Sequence, residues 1–239
     1  MGREDRGLVR FENVGLRYGN GPEVLRDLSF ELAPGSFQFL TGPTGAGKSS
    51  LLKLLYLSER PSRGLITLFG EPLSKVPRDR LHELRRRIGV VFQDFRLLDH
   101  MSAYDNVALP LRIAGHGEKH IKEAVTELME WVGLSDKINA LPATLSGGQK
   151  QLIAIARAVI TSPSLIVADE PTGNIDRDMS MKIMRLFIEL NKQGTTVIVA
   201  THDWPLIDKI KRPMLELFEG KLAEASWWLK PGEGLDEPV

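Results

Sequence analysis

The chain has 239 residues, and Lys+Arg and Asp+Glu each total 31, so no global basic field argues for a nucleic-acid partner. Hydrophobic residues make up 42% of it, ample for one large core or two unequal lobes, and no run approaches the roughly eighteen uninterrupted apolar residues of a membrane-spanning helix. Cysteine is absent, which excludes disulfides, thiolate metal sites and cysteine nucleophiles.

The opening MGREDRGLVRF has no apolar signal-peptide core, and Arg6 stands where a myristoylation signal needs Ser or Thr, so a soluble cytoplasmic protein is expected. Strand-like runs follow: VRFENVGLRY, LSFEL, FQFLT and LITLF, with GNGP and APG as turn signals between them. IGVVF, LIVAD and TVIVAT are short continuous apolar runs, the pattern of strands buried on both faces of a parallel sheet. Helical spacing appears at Ile121, Ala124, Val125 and Leu128, at Leu152, Ile155, Ala156 and Val159, and at Ile183, Leu186, Phe187 and Leu190. Residues from about Met101 to Pro142 hold no buried-strand run and read as a helical insertion that makes a second lobe on an α/β sheet.

After FQFLT comes GPTGAGKSS, and after that a helix with inner face Leu51, Leu52, Leu54 and Leu55. Gly42, Pro43, Thr44, Gly45, Ala46 and Gly47 form a loop whose glycines let successive N–H groups point at phosphate oxygens. The helix N-terminus that follows adds its positive dipole end. Lys48 is placed to reach the β- and γ-phosphates and the Ser49 hydroxyl to ligate Mg²⁺, with Ser50 next along the helix. This strand–loop–helix context identifies a nucleoside-triphosphate site.

SLIVADEP sets Asp169 and Glu170 at the end of an apolar strand, expected beside the P-loop strand. Asp169 suits a metal-holding role and Glu170, expected to point the other way along the strand, the polarising of an attacking water. Taken alone, such acids also cap following helices. A second glycine-rich stretch, LSGGQ, opens a helix with Ser146 as N-cap and Gly147, Gly148 and Gln149 behind it. It is either a plain N-cap or an anion cradle for a nucleotide that another subunit binds.

LSGGQ, together with the P-loop and LIVADEP, resembles the ATP-binding cassette ATPases over essentially the whole chain. That resemblance implies a P-loop nucleotide-binding domain of α/β class, with a mostly parallel core sheet, an antiparallel β subdomain and a helical signature subdomain. It divides the chain into a RecA-like and β lobe at about 1–95 and 160–225, a helical lobe at about 96–159 and a tail at about 226–239. It implies that Tyr18 stacks on adenine, that Gln93 joins Mg²⁺ and water to the helical lobe, that Asp176 lies at a dimer seam and that His202 contacts the γ-phosphate. It further implies an ATP-dependent homodimer paired head to tail, each LSGGQ closing the partner's site.

ADEPTGNID and RRRIGVVFQDFRLLDHMSAYDNVALPLRIAG resemble the branch of that family serving cell division and lipoprotein release. The cell-division likeness implies an integral membrane partner, control of peptidoglycan hydrolases and a peripheral place on the inner face of the membrane; the alternative is a transporter ATPase for lipoprotein release or export. Leu152 and Ile175 depart from the residues usual at their positions. Phe95, Leu97, Leu98, Met101 and Tyr104 are apolar for a loop and are expected to line a groove for a helix of the membrane partner. Trp227 and Trp228 are expected to pack on the body or touch a headgroup region.

Overall fold

The structure is a computed structural model and describes residues 7–173 and 175–223; Trp227 and Trp228 lie outside the described residues. In chain order the elements begin β1 (Val9–Arg17), β2 (Glu23–Leu32), β3 (Phe37–Thr41), α1 (Lys48–Leu55), β4 (Arg63–Leu68), β5 (Glu71–Pro72), α2 (Leu81–Arg85) and β6 (Ile88–Val91). The helical segment follows as α3 (Ala103–Ile113), α4 (Glu118–Trp131) and α5 (Gly147–Val159). The chain then returns through β7 (Leu165–Asp169), α6 (Arg177–Lys192), β8 (Thr196–Ala200), α7 (Trp204–Ile210), β9 (Met214–Phe218) and β10 (Lys221–Leu222).

Two sheets form among the described residues. The first is antiparallel, in the order β2-β1-β4-β5; the second runs β10-β9-β3-β8-β7-β6 and is parallel except at its β10 edge. The apolar runs become its central strands because both of their faces are covered. Phe37, Phe39, Ile166, Ala168, Val197 and Val199 point into a core shared with α3 to α6. The alternate residues Leu40, Leu165, Val167, Ile198 and Ala200 point into a second core with α1 and the antiparallel sheet. A period of two thus splits each apolar run between two cores, with roughly 1.5–3 kcal/mol gained for each large side chain fully removed from water.

The strand order corrects one expectation. β7, which ends in Asp169, is not the neighbour of β3: β8 lies between them, paired in parallel with both. All five residues of β8 are buried, so it needs a partner strand on each edge and takes the central place.

Candidate active site

The site is assembled at the C-terminal ends of β3, β7 and β8, where loops leave an open parallel sheet. After β3 the chain enters the P-loop with Gly42 at φ 137, Gly45 at φ 82 and Gly47 at φ 106, all left-handed conformations that L side chains resist. Gly42 has a second constraint, since a Cβ there would collide with the Leu217 carbonyl of β9. Ala46 is buried and its carbonyl accepts from Gly220 N at 3.1 Å, whereas Pro43, Thr44 and Gly45 are exposed at the tip. No side chain caps α1 and its first turn holds no acid, so that helix end keeps its N–H groups and its positive field for an anion. Lys48 folds back along the loop, donating from Nζ to the Gly42 carbonyl at 2.6 Å and the Pro43 carbonyl at 3.2 Å.

Although β8 separates their strands, the Ser49 hydroxyl acts on the Asp169 carboxylate, favouring its charged form. Burial holds the Asp169 carboxyl above its usual range and the adjacent Glu170 adds to this, opposed by the Ser49 hydroxyl and by Lys48 and Arg96. A half-buried carboxylate beside a hydroxyl, both hard oxygen donors, fits a divalent cation whose charge would answer the desolvation cost. No group of three or more His, Asp or Glu side chains gathers among the described residues, so such a cation would draw the rest of its shell from neutral side-chain oxygens, phosphate and water.

β7 stops at Asp169, and Glu170 has φ 45; its direction is set by this left-handed turn and not by strand alternation. Glu170 N donates to the Ala200 carbonyl at 2.9 Å, anchoring the turn to the end of β8. Its Oε1 meets His202 Nδ1 at 2.7 Å, the carboxylate side chain 12% exposed and the imidazole 74% exposed. The carboxylate is thus held from below while the ring stands in the open, where an incoming group could reach it.

Tyr18 is 40% exposed and its hydroxyl donates to Ser50 Oγ at 3.2 Å, tying its ring to α1, with Lys53 Nζ 5.6 Å from the ring centroid. Gln93 is exposed just beyond β6, and its Nε2 lies near Gly173, 3.3 Å from where a Cβ on that glycine would be. Ser146 and Gln149 make a reciprocal capping box on α5: Ser146 Oγ accepts from Gln149 N at 3.3 Å, and Gln149 Oε1 accepts from Ser146 N at 2.9 Å. Gly147 opens the helix, and at Gly148 a Cβ would stand 2.7 Å from Met179 Cγ. Asp176 caps α6 by accepting from Met179 N at 2.9 Å. The signature and Asp176 therefore meet through Met179, and among the described residues no hydrogen bond joins them to the P-loop of the same chain.

Sequence reasoning missed the groups that hold these elements. The turn from β9 to β10 supports the P-loop through Leu217 and Gly220, and the Gly220 carbonyl also accepts from Arg26 N at 2.7 Å. Arg96 stacks its guanidinium 3.9 Å from the Phe92 ring centroid and bonds Asp94 at 3.1 Å. Arg157 of α5 reaches the main chain after Gln93. Main-chain partners leave no mark on side-chain spacing, and only the glycine in EGKL gave a signal.

This is the ground plan of a nucleotide-driven cassette, and the comparisons agree. The ABC transporter family matches residues 25–173, and the chain belongs to that family of ATP-binding cassette ATPases. It is an ATP-hydrolysing, nucleotide-binding enzyme. Within the family it is 46% identical to the cell division ATP-binding protein FtsE of Escherichia coli K12 over 90% of this chain and 97% of that protein. It is 38% identical to FtsE of Streptococcus pneumoniae serotype 2 strain D39, over 90% and 94%. Among solved structures it is similar to a dimeric ATP-binding cassette in a post-hydrolysis state bound to ADP and Pi, with TM-score 0.82 and 31% identity over 90% of this chain and 96% of that one. The likeness to the cell-division branch, read from the segment around Gln93, is borne out by these relatives.

Proposed function

We propose that the chain is the cytoplasmic ATPase of an FtsEX-type complex, peripheral on the inner face of the cell membrane. ATP with Mg²⁺ closes two copies head to tail, and the closure passes to an integral membrane protein of FtsX type that governs peptidoglycan hydrolases in division. The P-loop from Gly42 to Ser49 cradles the phosphates, with Tyr18 on the adenine. Ser49, Asp169 and Gln93 hold the cation, which draws charge from the transferring phosphoryl oxygens when bound. Glu170 positions and deprotonates the attacking water, and His202 contacts the γ-phosphate. Ser146, Gly147, Gly148 and Gln149, with Asp176, complete the partner's site.

The observation that carries this reading is the separation of the two anion cradles. The α1 end is uncapped beside Asp169, while the α5 end lies with Asp176 around Met179, unlinked among the described residues by hydrogen bonds to its own P-loop. A dimer similar in fold, bound to ADP and Pi, supports supply of the second cradle in trans. A LolD- or MacB-type transporter would share the same ATP site and differ only in what docks. Phe95, Leu97, Leu98, Met101 and Tyr104 are all half-buried: Leu97 and Tyr104 pack on the core, and Leu98 and Met101 offer the apolar contact for a short helix of the partner. Leu98→Glu or Met101→Glu is expected to abolish co-purification with the FtsX-type protein and its stimulation of ATPase while ATP binding stays intact; wild-type co-purification would move the docking surface elsewhere.

A further inference from the structure

We propose that Arg157 is a positioning residue, clamping the segment after Gln93 to the signature helix so that the two move as one piece. Its Nη2 donates to the Phe95 carbonyl at 2.9 Å and its Nη1 to the Arg96 carbonyl at 2.6 Å. These carbonyls belong to two successive non-glycine residues at φ 61 and φ 48, a strained conformation that persists only where surroundings hold it. Among the described residues no carboxylate pairs with Arg157; burial lowers its pKa from the usual value, so a half-buried guanidinium is kept for carbonyl dipoles. The planar fork matters here, because it spans two acceptors that one ammonium would not serve alike.

Asn106 completes the clamp from α3. It is fully buried, accepts from Leu98 N at 2.8 Å, and donates to the carbonyls of Leu98, Met101 and Ser102 at 3.1, 3.2 and 3.0 Å. Its Oδ1 is also 3.5 Å from Arg157 Nη1. The main chain from Phe95 to Ser102 is thereby fixed to α3 and α5. Ser146 caps α5 at one end and Arg157 sits eleven residues along it, about 16 Å at helical rise. A shift of Gln93 on γ-phosphate arrival would then move Ser146 and Gly148 with it, linking a chain's own site to the one it completes in its partner. This inference rests on the roles given above to Gln93 and the signature.

The chain lacks cysteine, so spin labels can be placed at will through Ser58→Cys behind α1, Asp99→Cys in the clamped segment and Glu127→Cys on α4. In the Glu170→Gln background, with labelled protein diluted into unlabelled, ATP is expected to change the 58–127 distance and leave the 99–127 distance fixed. In that background Arg157→Met should bind ATP with unchanged affinity yet show no ATP response at 58–127; with Glu170 in place, Arg157→Met should lower turnover about tenfold with KM unchanged. A full 58–127 response in Arg157→Met would overturn the clamp. Should that variant fail to fold, Arg157→Lys decides: a partial response supports the clamp, a wild-type response overturns it. If ATP moves nothing even with Arg157 in place, the γ-phosphate reading fails instead, and the nucleotide-free 99–127 distance decides. Sharp with Arg157 and broad with Met supports the clamp; equal sharpness overturns it.

Discussion

His202 Nδ1 stands 2.7 Å from Glu170 Oε1, joining the residue that follows β7 to a loop that follows β8. The role proposed for Glu170, taking a proton from water, needs the carboxylate's direction fixed, and the imidazole contact fixes it. Glu170→Gln keeps the shape but cannot accept the proton, so turnover should fall by about a hundredfold or more while ATP affinity persists. The ATP-bound protein should then show a doubled mass in light scattering. His202→Ala should cost up to about a hundredfold through misplacement, and the double variant little more than the worse single one. Steady-state ATPase rates with the membrane partner test this; simply multiplying losses would show that the two act separately.

Asp169 couples function to stability. Its carboxyl is held above the usual range by burial, so the folded protein retains the proton to higher pH than the unfolded chain does. Stability from this group is present below the ordinary carboxylate pKa and is lost as pH rises through the raised value. Asp169→Asn should therefore melt higher than the nucleotide-free parent at neutral pH, with the gain shrinking as pH falls towards the carboxylate range. The same variant should lose Mg²⁺-dependent turnover. A lower melting temperature at pH 7 would contradict the burial argument.

Sharing of sites is tested by mixing. Lys48→Ala removes the cation from the phosphates and should weaken ATP binding by about 10- to 100-fold, as expected for a charge-assisted bond. Ser146→Arg brings bulk and charge to the α5 cap and also removes its capping hydroxyl. Mixed together, the two should recover one intact composite site per heterodimer and part of the activity. Recovery absent at every ratio, with no crosslink between Thr44→Cys and Ser146→Cys in trans, would exclude sharing.

Gly148 is confined by its own chain. A Cβ there would stand 2.7 Å from Met179 Cγ, so Gly148→Ala should destabilise by about 1–2 kcal/mol despite the better helix propensity of alanine. Met179→Ala makes room and should recover most of that loss in urea unfolding of the double variant. Additive losses would show that the contact yields freely.

Legibility followed locality. The P-loop could be read because glycine marks Gly42, Gly45 and Gly47, the positions where the backbone is left-handed. The strands could be read because continuous apolar runs serve two cores at once. The place of β8 could not, since strand pairing is decided between segments distant in sequence. Glu170 gave no sign of its φ of 45, because glutamate does not advertise that conformation as glycine does. Arg157 looked like any helical arginine, its acceptors being carbonyls 61 and 62 residues away.

The central place of β8 has a mechanical consequence. Two strand spacings, about 10 Å, separate the backbone of β3 from that of β7. That width is set by hydrogen-bonded, fully buried backbone, which neither stretches nor slips as surface loops do. The phosphate-binding and acid-bearing halves of the site are thus the fixed jaws of a gauge. Whatever travels during a catalytic cycle must be the outer pieces, the segment after Gln93, His202 and the α5 cap, measured against an aperture that stays constant.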